Sequence, residues 1–185
     1  MTIEYTSPYG ISSFEDFNKL NKAFVDKTEF INVIDKLDSP YPVLLRPRRF
    51  GKTTFVQMLL CFYDISFKDK YDEIFKGTKI LEMNLPSHNS YHVIKFDFSG
   101  ISGTNVESLI NNFNQKVSVG INDFLIRYPD FEFSNDYTGR DPANFIDEFF
   151  KTFARYSKSK SLYILIDEYD NFANDVLSND RDLFK

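Results

Sequence analysis

Apolar positions along the chain alternate between helical spacing and short unbroken runs. Thr28 to Leu37 carries Phe30, Ile31, Ile34 and Leu37 at helical intervals, and Thr53 to Phe62 reads as a second helix. Ser13, spaced three residues from Asp16 like a capping box, opens a shorter helix before them. Further on, Val106, Leu109, Ile110, Phe113, Val117, Ile121, Phe124 and Leu125 form one stripe, capped by Thr104 with Glu107. Phe145, Ile146, Phe149, Phe150 and Phe153 form another, started by Asp141 as N-cap and Pro142 at the first helical position. Three apolar runs, Val43–Leu45, Val93–Phe98 and Leu162–Ile166, read as buried strands. The order strand, helix, strand, helices, strand predicts an α/β fold whose mainly parallel sheet is covered on both faces. Ligands in such sheets bind at the carboxyl ends of the strands.

Composition narrows the picture. No apolar run approaches the roughly 18 residues of a membrane span. Met1 to Gly10 has neither the basic start nor the apolar core of a secretion signal. A single cysteine, Cys61, excludes an internal disulfide, and the three observations together favour a cytoplasmic setting. Cys61 itself, inside the second helix, reads as a buried, inert side chain. With 22 Lys and Arg against 27 Asp and Glu, the net charge of −5 gives no global attraction for nucleic acid. Arg46, Arg48, Arg49 and the lysines from Lys151 to Lys160 keep nucleic-acid contact as a weakly supported alternative. His88 and His92, four apart, flank a loop at Asn89-Ser90 without a cysteine or paired acid nearby, so no metal site is expected there.

The candidate chemistry sits at two strand ends. Arg46-Pro47-Arg48-Arg49-Phe50-Gly51-Lys52-Thr53 carries the second half of a Walker A phosphate loop, G-x-x-x-x-G-K-[ST], with Arg46 at the first glycine. Gly51 permits close approach of the backbone to phosphate, Lys52 places a point charge on the β- and γ-phosphates, and the Thr53 hydroxyl suits Mg2+. Arg48, Arg49, Phe50 and Thr54 complete the expected nucleotide contacts. The bland reading is a basic loop before an ordinary helix. The second cluster, Tyr163-Ile164-Leu165-Ile166-Asp167-Glu168, fits Walker B: Asp167 to hold Mg2+ through water and Glu168 to orient and deprotonate the attacking water. Asp97, at the end of the middle strand, is either a supporting acid or a turn cap.

These blocks resemble the AAA-ATPase-like family of predicted P-loop ATPases, often joined to a PD-(D/E)XK nuclease-like region. Arg46 to Thr53 is similar to that family's RPRRFGK[ST] signature, in which arginine is the expected first residue. Tyr9-Gly10-Ile11 with Phe14 and Phe17, Phe24-Val25-Asp26-Lys27-Thr28 with Ile31, Phe75-Lys76-Gly77, Val93 to Ser99 and Leu165 to Asp170 resemble its other blocks. The resemblance implies ATP and Mg2+ as ligands and an ASCE-type three-layer αβα sandwich. In that class a strand intervenes between the Walker A and Walker B strands, a role that falls to Val93–Phe98 in this chain. Asp26-Lys27-Thr28 reads as a helix cap, with cover for the adenine as the alternative.

We therefore expect residues 1–185 to form a single P-loop domain: a leading segment 1–42, a core 43–170 and an incomplete C-terminal part. The last core strands are absent after Glu168, so the chain is read as a fragment or a truncation. Hydrolysis by this chain alone is doubtful on that ground. The open sheet edge would accept a partner chain or the missing C-terminal region. The alternatives to an ATPase are a non-hydrolysing interaction module and the ATPase part of a nucleic-acid-processing protein.

Overall fold

The computed structural model describes residues 13–19, 25–39, 41–45, 50–102, 105–157 and 161–170. In chain order the elements are α1 (Glu15–Lys19), α2 (Glu29–Asp35), α3 (Lys52–Tyr63), a 3-10 helix (Ile65–Lys70), α4 (Tyr71–Ile74), α5 (Lys79–Met83), β1 (His92–Asp97), α6 (Val106–Arg127), α7 (Pro142–Tyr156) and β2 (Leu162–Asp167). The chain divides into two compact units, Met1–His92 and Val93–Lys185.

The first unit is helical around an aromatic cluster. α3 buries Phe55, Met58, Leu59, Leu60, Cys61, Phe62 and Tyr63. Phe62 meets Tyr71 and Phe75 edge-on at 6.0 and 6.1 Å, and Phe14 reaches Phe75 at 5.5 Å. Cys61 is buried, as expected from its place in the helix. The C-terminus of α3 is closed from a distance. Asn89 donates from its amide to the Cys61 and Asp64 carbonyls at 3.3 and 2.7 Å, and from its backbone N–H to Phe62 at 2.7 Å. The last carbonyls of a helix need such partners. Asn89 takes a left-handed φ of 47° to supply them, a conformation asparagine tolerates better than most residues.

In the second unit α6 and α7 pack together and α6 lies on β1. Phe124 meets Phe149 and Phe153 at 5.3 and 5.9 Å. Leu109, Val117, Ile121 and Phe124 of the α6 stripe are buried, as are Phe145, Phe149 and Phe153 of α7. Gly120 lets α6 approach the strand: a Cβ there would stand 2.6 Å from the Lys95 carbonyl oxygen and 2.7 Å from Phe96 Cδ1. Arg127, in the last turn of α6, donates to the Val93 carbonyl at 2.7 Å. β1 and β2 pair in parallel as a two-stranded sheet. That is compatible with an α/β fold.

Four expectations change. Val43–Leu45 is not a buried strand: it has no ladder pairing, and Val43 and Leu45 are 66% and 78% exposed. A strand needs a hydrogen-bonded neighbour, and among the described residues the sheet holds only β1 and β2. β2 is not buried on both faces either. Leu165 and Asp167 are buried, but Ile164 and Ile166 are 43% and 48% exposed. The long helix is capped one residue later than Thr104 with Glu107 would have it. Asn105 accepts from Ser108 N–H at 2.8 Å, and the Ser108 hydroxyl accepts from Asn105 N–H at 3.2 Å. Asparagine is the stronger N-cap. Thr104 lies outside the described residues. The fourth change concerns Asp26-Lys27-Thr28, which borders the candidate site.

Candidate functional site

The phosphate-loop candidate is built on the start of α3. Gly51 precedes the helix at φ 77° and ψ 30°, a left-handed turn that glycine adopts without a Cβ penalty. The α3 ladder begins with Phe55 N–H donating to the Gly51 carbonyl at 3.0 Å. The N–H groups of Lys52, Thr53 and Thr54 therefore stand before the first intrahelical bond. Glycine has no side chain with which to cap them, and no acid occupies the first turn. A helix start of this kind favours an anion through its exposed amides and dipole. Phe50 and Thr53 are exposed and Lys52 is half-buried. Arg46, Arg48 and Arg49 lie outside the described residues.

Asp26-Lys27-Thr28 borders this turn. Thr28 stands just before α2 in helical conformation and makes no side-chain cap there. The Asp26 carboxylate instead accepts from Thr28 N–H at 2.9 Å, the Thr28 hydroxyl at 2.7 Å and Lys79 N–H at 3.0 Å. The fully buried Thr28 hydroxyl in turn accepts from Ile80 N–H at 3.2 Å. So the trio is a cap, but for α5, some fifty residues downstream, and not for its own helix. Burial pushes the Asp26 carboxyl up, but the Lys79 and Thr28 hydrogen bonds and the Lys79 charge outweigh it and hold the group below the usual carboxylate range. Lys27, between the two anchors, donates from its amine to the Phe50 carbonyl at 3.2 Å.

The second cluster lies at the carboxyl ends of the sheet. Phe98 N–H donates to the Asp167 carbonyl at 3.1 Å, so β1 and β2 finish side by side, with Asp97 and Asp167 at their ends. Asp97 accepts from Ser99 N–H at 2.9 Å, which makes it a turn cap. Burial raises its pKa, but the Ser99 bonds and the charges of Lys95 and Lys116 prevail and leave it lowered. Asp167 is only 4% exposed, and its carboxylate accepts from Glu168 N–H at 3.1 Å. Glu168 has a left-handed φ of 52°, an unfavourable conformation for a glutamate. Non-glycine residues held in this way concentrate at functional sites. The sequence carries no signal for that strain.

The structure thus gathers Lys27 with Phe50–Thr54 in the first unit, and Asp97 with Asp167 and Glu168 in the second. Among the described residues no group of three His, Cys, Asp or Glu is arranged to hold a metal ion. Mg2+ is undemanding in this respect: it keeps several waters and commonly binds one or two carboxylates together with substrate phosphates. A buried carboxylate at a strand end, such as Asp167, suits it. His88 stacks on Tyr71 at 4.4 Å in a turn, and His92 begins β1, so the two histidines do not share a helix face.

No helix among the described residues is long and apolar enough to cross a membrane. Searches of curated proteins and of solved structures gave no match. A family model described as Predicted AAA-ATPase matches residues 8–185. With the match running over nearly the whole chain, this protein belongs to the AAA-ATPase-like family of predicted AAA-ATPases.

Proposed function

We propose that this chain is the nucleotide-binding part of an ATPase, a P-loop domain that takes ATP with Mg2+ at the turn leading into α3. The observation that carries the reading is Gly51, left-handed at an α3 start that glycine cannot cap, followed at once by Lys52 and Thr53. In this reading the first-turn amides, with Phe50, Gly51 and Thr54, hold the phosphates, and Arg48 and Arg49 add charge. Lys52 neutralises the β- and γ-phosphates. The Thr53 hydroxyl and the Asp167 carboxylate, the latter through water, are the groups that would hold Mg2+. The ion would offset phosphate charge during hydrolysis. Glu168 takes the proton from the attacking water, and the intact ATPase is the form in which turnover is expected.

The test is a melting curve with and without MgATP. At a hundredfold excess over the dissociation constant a native-state ligand adds about 2.7 kcal/mol of stability. The wild-type chain should gain it, Lys52→Ala should lose it, and Glu168→Gln should keep binding while turnover by the intact ATPase disappears. A well-folded chain whose melting point ignores MgATP overturns the reading.

Exposed Ile164 and Ile166 on β2 favour a second reading, a module that binds another protein chain through the sheet. Light scattering after size exclusion separates the two: a strict monomer at all concentrations removes self-association from this reading.

A further inference from the structure

Lys27 is held against the phosphate loop from both sides of its own position. Asp26 is tied to Lys79 N–H, and the buried Thr28 to Ile80 N–H, so the backbone that carries Lys27 is fixed to α5. From there its amine reaches the Phe50 carbonyl at 3.2 Å and lies 3.7 Å from where a Cβ on Gly51 would stand. Among the described residues there is no cis peptide bond. In a planar trans peptide the carbonyl and the following N–H point in opposite directions. An amine that holds the Phe50 oxygen therefore also sets the direction of the Gly51 N–H. The bond is charge-assisted, and so stronger than a neutral one.

We propose that Lys27 is a positioning residue for the phosphate loop: its ammonium clamps the Phe50–Gly51 peptide and adds a positive charge beside the site where a nucleotide polyphosphate would lie. The consequence for binding rests on the ATP reading above; the clamp itself does not. Loss of the ammonium frees the peptide to rotate, so part of the binding energy of a polyphosphate must then be spent on ordering it. Arginine keeps both donor and charge, whereas methionine keeps only the stem.

Two measurements on the full chain test this. Backbone 15N relaxation of the nucleotide-free protein reads the clamp directly. Lys27→Met should lower the order parameters of the Gly51 and Lys52 amides from the rigid range of about 0.85 to below about 0.6, and Lys27→Arg should restore them to near wild type. Titration with a fluorescent ATP analogue and Mg2+ reads the consequence: about tenfold weaker binding for Lys27→Met, largely recovered in Lys27→Arg, with melting points within a few degrees of wild type. Should Lys27→Met melt early, Lys27→Ala serves in both measurements with the same expectation. Wild-type order parameters in Lys27→Met or Lys27→Ala overturn the clamp, and wild-type affinity overturns its role in binding. If wild type and Lys52→Ala alike ignore the analogue, the ATP reading has failed, and the relaxation data still decide the clamp.

Discussion

Gly51 and Gly120 do opposite work. At Gly51 the backbone is left-handed, and among the described residues an added Cβ would meet only the Lys27 amine, at an ordinary 3.7 Å. At Gly120 the backbone is that of the α6 helix, but an added Cβ would be driven to 2.6 Å from a carbonyl oxygen of β1. One position needs glycine for conformation, the other for room. Conformational glycines shape a turn where a ligand can approach, and steric glycines set how closely a helix lies on a strand.

Substitutions separate the two roles. Gly120→Ala should have the largest effect on stability, about 2 to 3 kcal/mol, because backbone and a ring must both yield. Thermal melting should show a loss of about 4 to 12 °C for a chain of this size. Next comes Asn89→Gly. It keeps the left-handed backbone but removes one donor from each of the buried Cys61 and Asp64 carbonyls, at a cost of about 1 to 2 kcal/mol. If Asn89→Gly is neutral in chemical denaturation, only the conformation matters there. Gly51→Ala should cost about 1 kcal/mol through its positive φ and, in the ATP reading, weaken nucleotide binding by more than this modest destabilisation suggests. Gly51→Asn should recover stability before it recovers binding, measured by melting and by analogue titration.

The smallest effect appears only in alkali. Burial, aided by the Asp72 charge, pushes Tyr71 up to about 12. The native state keeps this proton between pH 10 and 12 while the unfolded chain releases it. That stability is complete below pH 10 and is lost as pH rises toward 12. Tyr71→Phe, which also deletes a buried hydroxyl with no partner among the described residues, should flatten this segment of the melting-point profile.

Much of this was legible in the sequence where local rules govern. The stripes of α6 and α7 and the Asp141-Pro142 start follow from spacing and capping chemistry, and Asp141 does accept from Asn144 N–H at 3.1 Å. Val93–Phe98 and Leu162–Ile166 match β1 and β2 within a residue at each end, and the acidic strand end was visible in the same run. Val43–Leu45 failed because an apolar run specifies strand potential but not a partner to pair with. Asn89 sits in a turn whose composition suggested only a loop; what it caps is 25 to 28 residues away. Lys27 was read within a local cap, and nothing in its neighbours in sequence announces Phe50. Gly120 interrupts an otherwise regular helical stripe, and its reason lies on another element. In each case the deciding partner is distant in sequence, where periodicity carries no information.

The tie between Asp26-Thr28 and Lys79-Ile80 has a consequence for how the chain is made. A growing polypeptide emerges from the ribosome amino end first, and this stitch cannot close until the second pair has left the exit tunnel. Over that interval, 53 residues for the Asp26 bond, the Lys27 segment must wait without its anchor on α5. The part that borders the candidate loop is then among the last of its unit to be secured during synthesis, although it is translated before the residues that secure it.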